Sequence, residues 1–326
     1  MEIHPDKAFV PREALHHVRG SRLLRDVRKQ QGTGAMIKQR FTTGCLTLGA
    51  LTLSLAALAA EPVRSFQSVK GNVSIQVLDQ GEGKVIVILP SLGRGAHDYD
   101  EVAAQLAADG YRVLRPEPRG VNGSKAPMAE LTLHDFAADV AQVLDEVKSG
   151  PAVVVGHAWG SQPARVLAVD RPDLVKGIVL AAASIGKLPP DSKEKPYGRL
   201  KEAINGSGNH ALPEAQRLTY LKQAFFAPGN DPRPWLTGWY GQTHDAEGYA
   251  RDHTPVDSYW SAGSQVPILD LQGEHDAVVI PNILKGLLGA RVEHQVIANA
   301  GHAMAPEQPK AMADAIAGFA KRVYER

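Results

Sequence analysis

The segment Val153-Val154-Val155-Gly156-His157-Ala158-Trp159-Gly160 has the layout of a strand, a sharp G-x-S-x-G turn and a helix start. Such a turn exists to lift a serine hydroxyl out of strained backbone and aim it at a substrate carbonyl. Here Ala158 stands at the central position, and a methyl group cannot attack anything. Two other hydroxyls lie close in sequence. Ser161 is three residues further on, in the first helical turn, where it should face the sheet. Ser91 follows an apolar run in Pro90-Ser91-Leu92-Gly93-Arg94-Gly95. A turn serine bonding nearby backbone is its plainer reading. His97, His157, His244 and His253 show no metal-ligand spacing, so neither a metal nor any other cofactor is expected.

The surrounding residues predict the elements that position this turn. Val73–Leu78 alternates apolar and polar residues, as a half-exposed antiparallel strand does. Val85–Leu89 is continuously apolar, as a strand buried on both faces is. Further strands are expected at Tyr111–Leu114, Ala152–Val155, Gly177–Leu180, Ile268–Leu271 and Val292–Val296. Helical spacing separates them. Val102, Leu106 and Ala107 mark one helix, Leu133, Phe136, Val140, Val143 and Leu144 another, and Met312, Ala315, Ile316, Phe319 and Val323 the last. This alternation predicts an α/β fold, a mostly parallel, doubly wound sheet of about eight strands. Residues 185–263 break the rhythm with Pro, Gly and aromatic residues. They are read as a helical lid over the carboxyl ends of the strands, inserted into a core of 60–184 and 264–326. Trp235, Trp239 and Trp260 fall in this insertion. They read equally as contacts for a flat apolar ligand and as the small core that a lid needs.

The 326 residues, 44% hydrophobic and 22% charged, describe an ordinary globular protein, and a formal net charge of +1 argues against nucleic-acid binding. Residues Phe41–Ala60 are uncharged, follow the basic stretch Met36-Ile37-Lys38-Gln39-Arg40 and end in Ala57-Leu58-Ala59. That is the layout of a secretory signal peptide over 36–59, with an uncleaved anchor as the minor alternative. Residues 1–35 are then an upstream, disordered extension. A chain without residues 1–60 carries 27 basic and 31 acidic side chains and lacks Cys45, the single cysteine. The expected product is secreted or periplasmic, without disulfides, and acts on a small molecule without membrane contact. Monomer and dimer are both left open.

Four motifs occur in order: Pro90–Gly95, Gly156–Gly160, Gln272-Gly273-Glu274-His275-Asp276 and Asn299-Ala300-Gly301-His302. Together they make residues 65–326 resemble the α/β-hydrolase family, in that family's order of nucleophile, acid and histidine. The resemblance implies that His302 is the catalytic base and that Asp276 orients it. It also implies that the N–H groups of Leu92 and Trp159 form the oxyanion hole. Ser91 and His157 become candidate substrate contacts beside it. Glu117 stands where the family usually has Asp. The resemblance departs at Ala158 and at Pro90-Ser91, where many members carry His-Gly.

Three readings follow. In the first, His302 activates water or the substrate directly, giving hydrolysis or lyase-type cleavage of a small apolar or aromatic molecule without a covalent intermediate. In the second, the protein is a ligand-binding pseudoenzyme. In the third, it is a carboxylesterase-type serine hydrolase inactivated by Ser-to-Ala replacement at position 158. The intact His and Asp positions favour the first.

Overall fold

A computed structural model describes residues 61–183, 186–187, 196–263 and 265–326. The chain divides into two compact units, 1–56 and 57–326, and the described residues all belong to the second. The segments read above as an extension and a signal peptide lie outside the described residues. No helix among those described is long and apolar enough to cross a membrane.

Eight strands form one sheet in the order β1-β2-β4-β3-β5-β6-β7-β8. They are β1 Arg64–Lys70, β2 Val73–Gln80, β3 Lys84–Leu89, β4 Tyr111–Pro116, β5 Ala152–His157, β6 Val175–Ala181, β7 Ile268–Gly273 and β8 Val292–Ile297. β2 runs antiparallel to both β1 and β4, and the remaining pairs are parallel. The central strands are buried on both faces, which is why β3 and β5 read as unbroken apolar runs. β1 escaped the sequence reading for the opposite reason. It is an edge strand in which only Ser68 is fully buried, so it carries no apolar alternation.

Helices α1 (Asp100–Ala108), α2 (Leu133–Val147) and α3 (Ser161–Asp170) follow β3, β4 and β5. α4 (Pro196–Ser207), α5 (Glu214–Ala224) and α6 (Gly241–Asp252) fill the insertion between β6 and β7, and α7 (Ile283–Leu288), α8 (Met304–Glu307) and α9 (Pro309–Tyr324) complete the chain. α2 and α3 bury Phe136, Val140, Val166 and Leu167 against one face of the sheet. α1 and α9 bury Val102, Leu106, Ile316 and Phe319 against the other. Each helix thus spends its 3.6-residue apolar stripe on one sheet face.

The strand order reverses direction around β3, and in sheets of this kind ligands bind beside the carboxyl ends of strands at such a point. The chain leaves β3 into Ser91 and Leu92, β5 into Ala158, β7 into Asp276 and β8 into His302. Close approach is built in where β5 meets α3. A Cβ on Gly160 would lie 2.5 Å from the Leu89 carbonyl oxygen and 2.6 Å from that of Pro90. Gly160→Ala should therefore cost about 1–3 kcal/mol through overpacking of backbone. Gly286→Ala, in open space on α7, should instead gain about 0.5–1 kcal/mol. Urea denaturation of both variants checks the contrast.

Candidate active site

The turn after β5 has the geometry of a strained elbow. Ala158 has φ +49°, a left-handed conformation that costs a residue with a Cβ about 1–2 kcal/mol. Gly156 lies against the far side of the same turn, where an added Cβ would meet the Gly160 carbonyl oxygen at 2.4 Å. Ser161 is fully buried, and its hydroxyl donates to the Ala158 carbonyl at 2.6 Å. That hydroxyl is spent within the turn.

His302 and Asp276 come together at the ends of β8 and β7. His302 Nδ1 lies 3.0 Å from Oδ2 and 3.2 Å from Oδ1 of Asp276, and the two side chains are only 5% and 1% exposed. Asp276 Oδ1 also accepts the N–H groups of Val278 and Val279 at 2.8 and 3.2 Å. Burial would raise this carboxyl, but His302 and the two N–H donors outweigh it and hold it below the usual carboxylate range. An ionised Asp276 fixes the proton of His302 on Nδ1 and leaves the Nε2 lone pair to act as a base. Glu307, which no sequence pattern marked, shapes this loop. Its Oε2 accepts the Gly301 N–H at 2.7 Å, and its Oε1 accepts Ala227 N–H and Asn230 Nδ2, both at 2.7 Å, from the insertion.

His157 lies at the centre of the site. It is fully buried with both ring nitrogens engaged, Nδ1 with the Tyr99 hydroxyl at 2.7 Å and Nε2 with the His302 carbonyl at 2.8 Å. A carbonyl only accepts, so Nε2 carries the proton and the Tyr99 hydroxyl donates to Nδ1. The same hydroxyl accepts the Ser91 N–H at 3.2 Å. Burial, with nearby His302 adding to it, lowers the His157 pKa to about 3. Both nitrogens are used within the fold and the ring has no exposed edge. It joins loops. Ser91 is also buried, and its backbone takes part at both ends, its carbonyl accepting the Arg94 N–H at 3.0 Å.

Leu92, beside Ser91, is partly exposed, and its N–H donates to no protein group among the described residues. The Trp159 indole packs edge-on to Phe136 at 4.9 Å. Glu117 accepts the Ala96 N–H at 2.8 Å and the Asn122 side-chain amide at 2.6 Å, so it braces the loops after β3 and β4.

The insertion packs against this end of the sheet. Ala158 and His302 are 8% and 4% exposed. The Phe225 ring lies 5.5 Å from the His302 ring, and Trp235 lies 6.2 Å from His157. Trp235 is nevertheless 1% exposed, enclosed by Phe225, Phe226, Trp239 and Arg94. It belongs to the insertion's own core, the second of the two readings open to it. Trp239 is half-buried, and Arg94 lies between the two indoles at 4.7 and 4.6 Å. Trp260 stands apart from this cluster, next to Lys187. Arg94 is bidentate to Asp98 at 2.7 Å and also donates to the Thr237 carbonyl at 2.7 Å, so it ties the loop after β3 to the insertion. Sequence gave no sign of this role, since only the fold brings residues 94 and 237 together.

A model of the alpha/beta hydrolase fold matches residues 84–309, more than half of the chain. An epoxide hydrolase A of Mycobacterium tuberculosis (strain ATCC 25618 / H37Rv) is 35% identical over 131 residues, 36% of this chain and 39% of the relative. An epoxide hydrolase of Caballeronia sordidicola is 29% identical over 119 residues, 36% of each chain. The chain thus spans little more than a third of the length of these relatives. The crystal structure of bromoperoxidase from Bacillus anthracis superposes with a TM-score of 0.64 at 18% identity, covering 80% of this chain and all of that one, and carries likeness of fold alone.

The buried His157 generates a pH dependence of stability. Its folded pKa of about 3 lies below the ordinary value of 6.5, so between those values the unfolded chain binds a proton that the folded chain refuses. Stability contributed by His157 is complete above pH 6.5 and falls as pH drops towards 3, by up to about tenfold in the unfolding constant per pH unit. His157→Asn should lower stability at pH 7 and flatten this slope, as urea denaturation across that range would record.

Proposed function

We propose, from the premise that the chain belongs to the alpha/beta hydrolase fold family, that it is a hydrolase working without a covalent nucleophile. The carrying observation is the pairing of a complete base with an empty elbow. His302 is oriented by Asp276, while position 158 keeps the strained φ of +49° and offers only a methyl group. In this reading His302 Nε2 takes a proton from water as the water oxygen bonds to the electrophilic carbon. The bond to the leaving oxygen or nitrogen breaks, and the same proton passes to that atom. The N–H groups of Leu92 and Trp159 hold the negative charge that develops on oxygen. A positioned base is worth about 10²–10⁴-fold and an oxyanion donor about 10²–10³-fold, enough to turn over an activated substrate. Set against a substrate proton in place of water, the same base would drive lyase-type cleavage.

The aromatic residues near His302 and the enclosure of the centre support a small, apolar or aromatic substrate. The names of the relatives make epoxides the first class to test, and the elbow layout adds esters. The basic and apolar run over residues 36–60 supports placing the reaction outside the cytoplasm.

A panel of epoxides, aryl esters and β-hydroxy ketones, run on the native chain, on His302→Ala and on Ala158→Ser, tests the proposal. The native chain should act on at least one class and resist labelling by a fluorophosphonate. His302→Ala should lower kcat/KM by about 10²–10⁴-fold. Activity that survives His302→Ala, or probe labelling at Ser91 or Ser161, contradicts the mechanism. Strong ester hydrolysis gained only with Ala158→Ser would point to an inactivated serine hydrolase.

A further inference from the structure

The insertion meets the loop after β3 through one carboxyl. Glu247, in α6, has no solvent exposure. Its Oε2 accepts the Gly93 N–H at 2.6 Å, and its backbone carbonyl accepts the Trp159 indole N–H at 3.1 Å. Gly93 follows Leu92 directly, so this one residue grips both segments that carry the proposed oxyanion donors. Contact between α6 and the loop is close. Gly93 has φ +64°, an added Cβ there would lie 2.8 Å from that of His244, and the Tyr240 N–H donates to the Gly93 carbonyl at 2.9 Å.

The chemistry of the grip is unusual. Oε1 of Glu247 is buried and has no hydrogen-bond partner. A charged carboxylate facing a single N–H donor would lose far more hydration than that bond returns. Burial accordingly pushes the Glu247 carboxyl well above the usual range, with the Gly93 N–H offsetting only part. The ionisable groups that face it do not compensate. Arg94 on the loop is paired with Asp98, Tyr99 just before α1 is kept un-ionised by its own burial and bonds His157, and His244 precedes Glu247 on α6.

We infer that Glu247 is a positioning residue, whose carboxyl and carbonyl hold the loop at 91–95 and the turn at Trp159 in register, so that the two donors converge only while α6 is seated. Its catalytic meaning rests on the hydrolytic reading above, whereas the contacts themselves do not. The acid occupies this seat uncharged.

Hydrogen–deuterium exchange over residues 90–99, with kinetics in parallel, tests this on the full chain. Glu247→Leu should release exchange in that peptide and lower kcat by about 10²-fold, with KM within about threefold. Glu247→Gln, which keeps a neutral acceptor for Gly93, should restore both. Unchanged exchange in Glu247→Leu, or equal release in both variants, overturns the inference. A second measurement needs only the Gln variant. An acid held uncharged when folded loses stability as pH rises, so the native chain's unfolding constant relative to that of Glu247→Gln should climb about tenfold per pH unit above pH 4.5. A ratio flat in pH overturns the uncharged seat. If exchange responds as expected while even the native chain turns over no substrate, the positioning of the loop stands and the hydrolytic reading falls.

Discussion

Three loops that carry the candidate chemistry are joined by one buried hydrogen-bond chain. The Ser91 N–H donates to Tyr99, Tyr99 donates to His157, and His157 donates to the carbonyl of His302. Everything else at the site takes its bearings from this chain. Its donors and acceptors match only when His157 is neutral and carries its proton on Nε2, so the network specifies one tautomer in the way fully satisfied buried polar groups do. The loop after β3, the elbow after β5 and the base after β8 are therefore referenced to one imidazole ring rather than to each other by packing alone.

This network explains how an elbow can remain strained without its hydroxyl. Nothing local repays the positive φ of Ala158. The cost of about 1–2 kcal/mol is offset by neighbours that fix the turn from both sides. The β3–β5 register sets Leu89 opposite Gly156, Ser161 bonds the Ala158 carbonyl, and His157 is bound at both nitrogens. The residue at 158 can thus change chemically while the turn keeps its shape. The same reasoning separates geometry from reactivity across the site, since Asp276 and His302 owe nothing to the group that occupies position 158.

The sheet was largely legible in the residues because its central strands are buried on both faces and so write themselves as apolar runs. The elbow glycines were legible too, since steric limits on their Cβ atoms leave no alternative. What sequence hid is what tertiary contact decides. Trp235 reads equally as a ligand contact and as insertion core in the sequence, and only the fold shows that Arg94 and two phenylalanines enclose it. His157 looks like a polar handle until both its partners, 58 and 145 residues away, are found. No pattern in the sequence marks Glu307 or Glu247. Burial of a single carboxyl against backbone N–H groups leaves no periodic trace in a sequence.

The insertion holds the base loop through Glu307 and Phe225 and the opposite loop through Arg94. Both loops are thus fastened to the same insertion. Any displacement of the insertion would therefore pull on the loop at 91–95 and on the loop that ends in His302 together, so neither could be rearranged alone.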